Sequence, residues 1–139
     1  MGDTLVQVLG ALFLLQGIVR LGFIVNTLLR VAALVPDPYY LVVVQIVPAV
    51  LAVLVMIAGV CMLALMRSGR GFALAICGIA LAYQLYAFIS VVMTLYVIAP
   101  APGRSLGLLF WVLQPAYMAL FVAGLIVLIR WRPPELAGR

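Results

Sequence analysis

The chain of 139 residues contains no histidine and no lysine, and its only acidic residues are Asp3, Asp37 and Glu135. None of these three carboxylates falls within an apolar segment, and the two cysteines are not clustered. The usual ligands for haem, zinc, copper and iron are therefore missing. The usual general acids and bases are missing too, as are the side chains of membrane proton relays. We expect no metal, no cofactor and no enzymatic activity, with an enzyme acting on lipid as the remaining catalytic alternative.

Charge of either sign is scarce, because only 8% of the residues are charged whereas about 25% is usual in soluble domains. Hydrophobic residues make up 69% of the chain, and its mean hydropathy is +1.40. The net charge of +5 comes from eight arginines, and all of them except Arg20 lie near the ends of apolar segments. There they would set topology and meet anionic lipid headgroups, so nucleic-acid binding is not expected. This composition predicts a polytopic membrane protein.

Apolar segments fill almost the whole length of the chain. Because a membrane span needs about 20 apolar residues, four spans with short connections use up the sequence. The predicted fold is all-α, a single membrane domain covering residues 1–139 and built as a four-transmembrane-helix bundle. Its helices are predicted over about residues 5–34, 39–66, 72–98 and 105–131. The polar stretch from Arg67 to Gly71 is predicted to be the turn between the second and third helices, since its glycines permit reversal.

Arginine placement predicts the orientation of the four spans. Five arginines, Arg67, Arg70, Arg130, Arg132 and Arg139, would share one side, against Arg30 and Arg104 on the other. The side richer in arginine is expected to be cytoplasmic, which places both termini in the cytoplasm. Basicity carried by arginine alone suggests a GC-rich genome. We therefore predict a multi-pass protein of a bacterial inner membrane.

Arg20 is the leading candidate for a functional side chain, because it lies near the middle of the first apolar segment. An ionised side chain in that setting is costly unless it finds a partner, water or the interface. Gln16 precedes it by one helical turn and shares its face. These residues predict a site for an anionic group: a substrate carboxylate, a lipid phosphate or a partner's acidic residue. The alternative is that Arg20 extends to the outer interface and has no binding role.

A second polar stripe is predicted on the third segment, where Tyr83, Tyr86, Ser90 and Thr94 recur at helical spacing. Gln84 falls off that stripe. Such groups usually hydrogen-bond between membrane helices, at about 0.6–2 kcal/mol each. Because Gln16 and Arg20 fall at a depth comparable to the two tyrosines, a small polar cavity between the first and third segments is the functional alternative.

Prolines inside the second and fourth segments form a third set of candidates. Pro48 follows Gln45, and Pro115 follows Gln114 directly. A proline within a membrane helix frees a carbonyl one turn earlier, which an amide or water can satisfy. Pro48 and Pro115 are accordingly predicted as kinks that either gate the bundle or shape its packing. Gln114 is included among the candidate binding residues.

Small residues four apart predict the faces on which helices approach closely. The third segment offers such pairs at Gly71 with Ala75 and Gly78 with Ala82. These faces, with the abundant apolar surface, favour a non-enzymatic role as an oligomerising or accessory subunit of a membrane assembly. The expected partners are membrane lipids, anionic ones among them, and further protein chains. The alternative is a small oligomeric transporter or channel for an anionic or amphipathic molecule, with Arg20 in its pathway.

Overall fold

The computed structural model describes residues 2–31, 45–98 and 107–132, which form four α-helices. The helices are α1 (Gly2–Val31), α2 (Val47–Leu63), α3 (Arg67–Met93) and α4 (Leu108–Arg130). A π-helical turn at Thr94–Ile98 continues α3. The predicted end of the first helix, the start of the second and the first residues of the fourth lie outside the described residues.

Three stretches are long and apolar enough to cross a membrane: Gly2–Arg30, Arg67–Ile98 and Phe110–Arg130. The helix α2 is also apolar but is shorter, at 17 residues. Its first turn contains Pro48, where the missing N–H would have no partner within the helix in any case. Pro115, in contrast, lies inside α4. The fold is thus all-helical in its described part and has the helix lengths of a membrane protein.

The turn between α2 and α3 differs from the prediction, which placed it at Arg67–Gly71. Those residues already belong to α3, and the chain reverses at Ala64, Leu65 and Met66. Leu65 has a positive φ of 52°. The Met66 N–H donates to the Cys61 carbonyl at 3.0 Å, and the Leu65 N–H donates to that of Met62 at 3.1 Å. These two bonds form a Schellman motif, which satisfies the last carbonyls of α2 without a glycine at the left-handed position.

The four helices pack in a ring in which each contacts its neighbours along the chain, and α4 closes the ring on α1. The helices α1 and α3 therefore lie diagonally across the bundle. The most extensive packing joins α1 to α2. There a Cβ added to Gly10 would lie 2.8 Å from the Gly59 carbonyl oxygen, and one added to Gly59 would lie 2.7 Å from that of Gly10. The absence of side chains at this pair lets the two backbones touch.

Hydrogen bonds join the helices at the end of the bundle where α1 begins and α4 ends. The Trp131 indole N–H donates to the Asp3 carboxylate at 2.7 Å. The Arg70 guanidinium donates to the Leu128 carbonyl at 2.9 Å and the Ile129 carbonyl at 3.0 Å, which satisfies the last turn of α4. We call this the joined end of the bundle.

Side-chain packing is concentrated toward the joined end. The core there includes Phe13 and Phe121, whose rings meet edge to face with centroids 5.4 Å apart. In α3, none of the described side chains beyond Gln84 is buried, and in α4 none is buried before Phe121. The pair α1 and α2 remains packed further along, where Ile24, Gln45 and Pro48 are buried. Among the described residues, full burial in α3 therefore ends at Gln84 and full burial in α4 begins at Phe121, whereas α1 and α2 keep buried residues further along.

Candidate interior polar site

Arg20 turns into the bundle and contacts the helix that lies diagonally opposite its own. Its Nη2 donates a hydrogen bond of 2.9 Å to Oε1 of Gln84 on α3. Gln84 is completely buried, and Arg20 is partly buried. The described residues thus hold the guanidinium between α1 and α3, which is the location predicted for a polar cavity. The residue that reaches it from α3 is different from those in the predicted stripe.

Gln84 lies on the buried face of α3 because it continues a line of small and apolar residues. Ala73, Cys77 and Ala80 precede it at intervals of four, three and four residues, and all are buried. Their short side chains bring α3 close to its neighbours and leave the longer glutamine side chain directed into the bundle. The predicted small-residue pairs instead include Gly71, Ala75 and Ala82, which are exposed. Close approach of a further helix to these exposed residues stays a prediction, and the small residues covered within the bundle lie on another face of α3.

The amide of Gln84 has a fixed orientation. A guanidinium offers only donors, so Gln84 must present its oxygen to Arg20. Its Nε2 is then a buried donor, and it has no hydrogen-bond partner among the described residues. A buried polar group without a partner costs about 1–3 kcal/mol. The site therefore favours a group that can accept a hydrogen bond from Gln84.

Gln16 adds an acceptor one helical turn before Arg20. It is 7% exposed, and its Oε1 is buried without a hydrogen-bond partner in the described part of the chain. Residues four apart on a helix share a face, so Gln16 and Arg20 project together. The site defined by Gln16, Arg20 and Gln84, which we call the interior polar site, combines one cation, one further donor and one acceptor.

The charge of Arg20 is not neutralised by a carboxylate in the described structure. Asp3 is the only acidic residue that the structure describes, and it lies at the joined end with Trp131. Tyr83 on α3 and Tyr117 on α4 lie near Arg20. The neutral amide of Gln84 can solvate the guanidinium, but neither it nor a neutral phenol supplies a counter-charge. An anion would therefore gain a charge-assisted interaction here.

The remaining predicted site residues lie at different places. Tyr83 is partly buried against the core, whereas Tyr86 is 62% exposed and Ser90 is also exposed. Gln114 is partly buried on α4, and its Oε1 is another buried acceptor without a partner among the described residues. Pro48 is buried at the start of α2, and Pro115 is exposed. A binding role for each of these residues stays a prediction, as does the gating role of the prolines.

The expected absence of a metal site and the expected absence of enzymatic activity stay predictions as well. The described residues contain no group of three histidine, cysteine, aspartate or glutamate side chains that could hold a metal ion. The two cysteines have different neighbours. Cys77 is buried facing Gly124, and Cys61 is partly buried against Gly69.

Comparisons of the chain with models of protein families, with curated proteins and with solved structures find no match. The interior polar site and the surface of the bundle are therefore the features that indicate a function.

Proposed function

We propose that this protein is a non-enzymatic integral membrane protein that binds an anionic group at Arg20, inside its helix bundle, as a small oligomeric transporter or channel. The observation that supports this proposal is the direction of Arg20, which points to Gln84 rather than to the surface. An arginine that only reached for the interface would not need a completely buried partner on the diagonal helix.

The test is anion binding by the purified protein in nanodiscs of phosphatidylcholine, a lipid without net charge. Arg20→Gln removes the cation and should lower the affinity for a small carboxylate such as propionate by at least about tenfold, because a charge-assisted hydrogen bond is lost. Isothermal titration calorimetry measures the affinity. Arg30→Gln is the matched control, since Arg30 is exposed in the last turn of the same helix. Equal affinities in both variants and the original protein would contradict the proposal.

A second candidate function is that of a subunit in a membrane assembly. It is favoured by Tyr86, Ser90 and Thr94, which are exposed along one face of α3 and the π-helical turn that continues it. Polar groups that face lipid have no hydrogen-bonding solvent, so a protein partner on this face would satisfy them. Native mass spectrometry of the complex, extracted in a mild detergent, distinguishes the two functions. A stoichiometric second protein supports the subunit function, whereas a homo-oligomer without other proteins supports the transporter.

The finer membrane arrangement belongs to the same proposal. We infer four spans, with α2 as the shortest, and both termini on the cytoplasmic side of a bacterial inner membrane. Arg67, Arg70, Arg130 and Arg132 support this orientation, since all four belong to the joined end or flank it. Anionic lipids are the expected partners of these arginines.

A further inference from the structure

The interior polar site carries information about the kind of anion that it would bind, and this inference rests on the proposed anion-binding function. Its charge is the first criterion. Arg20 is one cation, and the nearest other arginine on α1 is Arg30, which is about 15 Å further along the helix axis. A singly charged anion would leave the site neutral. A doubly charged anion would leave one charge uncompensated in a medium of low dielectric constant, which is strongly unfavourable.

The hydrogen-bonding groups are the second criterion. Arg20 on α1 and Nε2 of Gln84 on α3 are donors, and they match the oxygen atoms of a carboxylate or a phosphodiester. Oε1 is the buried end of the Gln16 amide, and in this orientation it is an acceptor that the charged oxygens of an anion cannot satisfy. A ligand that brings a donor of its own, within about one helical turn of its charged group, complements this orientation.

We propose that the interior polar site binds a singly charged anion that carries a hydroxyl group next to its charged group. Arg20 and Gln84 hold the charged oxygens, and Gln16 accepts the hydrogen bond of the hydroxyl. Two sources have this chemistry. One is a free 2-hydroxy monocarboxylate, and the other is the glycerol phosphodiester headgroup of a lipid such as phosphatidylglycerol.

Calorimetry in phosphatidylcholine nanodiscs, with three small carboxylates, tests the charge criterion and the hydrogen-bonding criterion separately. Lactate has one charge and a 2-hydroxyl, propionate has one charge and no hydroxyl, and malate has a 2-hydroxyl and two charges at neutral pH. We expect lactate to bind roughly tenfold more tightly than propionate, because only lactate satisfies the buried acceptor. We expect malate to bind more weakly than lactate. Equal binding of lactate and propionate, or tighter binding of malate, would overturn the inference.

Gln16→Leu tests the assigned acceptor without touching the cation. This variant should bind lactate only as tightly as propionate, while its affinity for propionate stays unchanged. Gln7→Leu is the matched control, because it makes the same substitution on α1 at an exposed glutamine near the joined end. It should keep the preference for lactate. A preference for lactate that survives Gln16→Leu would contradict the role of Gln16.

The outcomes also separate this inference from the proposed function. If propionate and lactate bind equally and Arg20→Gln abolishes both, anion binding stands and the hydroxyl requirement falls. If neither carboxylate binds and no phosphatidylglycerol is retained, both proposals fail. Nanodiscs that contain phosphatidylglycerol identify the source. Loss of lactate binding together with lipid retained in native mass spectra indicates the headgroup, and undiminished lactate binding indicates the free hydroxy acid.

Discussion

Gln84 is the residue on which the interior polar site depends, and its position explains why sequence reasoning passed over it. The polar stripe of Tyr83, Tyr86, Ser90 and Thr94 is regular, but Tyr86 and Ser90 are exposed. Gln84 is the single polar residue that extends the buried line from Ala73 through Ala80. The pattern that indicates the site on α3 is therefore a single polar side chain at helical spacing from small buried residues, rather than a repeat of polar residues. Arg20 and Gln16 were identified from the sequence, because a charge within an apolar run is conspicuous.

Gln84→Glu would place a carboxylate beside Arg20. We expect the affinity for a small carboxylate to fall by at least about tenfold, because the new side chain occupies the guanidinium. Thermal unfolding in detergent should show a melting temperature equal to or above that of the original protein, since the ion pair replaces a bond to a neutral amide. Gln84→Leu is the comparison, and it should lower the melting temperature because Arg20 loses its acceptor.

Binding that survives Gln84→Glu undiminished would show that the guanidinium is not the anion site. A lowered melting temperature for Gln84→Glu would show that burying the added carboxylate costs more than the ion pair contributes.

At the scale of elements, the contact between α1 and α2 is set by glycines that the sequence reasoning did not select. Gly10 and Gly59 touch backbone to backbone, and Gly17 faces the Ala52 carbonyl. In each helix the two small residues are seven apart, a spacing that keeps them on one side. Small residues allow helices to approach closely, and these glycines do so. Choosing among the many small residues requires knowing which helices are neighbours, and sequence spacing does not contain that information.

Gly10→Ala should separate α1 from α2 and lower the free energy of unfolding by about 1–3 kcal/mol, because the added methyl group meets backbone atoms that cannot rotate away. A Cβ there would lie 2.8 Å from the Gly59 oxygen and 2.9 Å from the Leu63 nitrogen. Gly22→Ala on the same helix is the control, because nothing lies within 4 Å of its Cβ. The control should be neutral or stabilising by up to about 1 kcal/mol, because alanine favours the helix. Unfolding by SDS in mixed micelles measures both, and equal values would argue against the close contact.

For the whole molecule, the sequence predicts the helical membrane class and three long apolar helices. These features are predictable because the hydropathy of a segment depends only on the residues that it contains. The helix boundaries were less predictable. The turn at Leu65 arises from a hydrogen-bond pattern that needs no glycine, so the glycines at Gly69 and Gly71 indicated a turn several residues too late. The concentration of buried side chains toward the joined end could not be read from the sequence, since apolar residues run along the whole length of each helix.

The proposed orientation predicts which introduced cysteines an impermeant maleimide can reach in intact cells. In a protein with Cys61→Ala and Cys77→Ala, we expect Gly107→Cys to be labelled from outside, because it precedes α4 at the end away from the joined end. We expect Ser68→Cys and Arg132→Cys to be labelled only after the membrane is permeabilised. Gly107 tolerates the change, since no atom lies within 4 Å of its Cβ. Labelling of Ser68→Cys in intact cells would reverse the orientation.

The hydrogen bonds at the joined end make that end a hinge for the helices of the bundle. Asp3 with Trp131, and Arg70 with the last turn of α4, fix the helices where they begin and end. Gln84 lies 14 residues along α3 from Arg70, so a tilt of about 5° about the joined end would move it by roughly 2 Å. A displacement of that size breaks the 2.9 Å bond to Arg20. A small rocking of α3 would thus be enough to free the Arg20 guanidinium for an incoming anion, with Nε2 of Gln84 still nearby as a second donor.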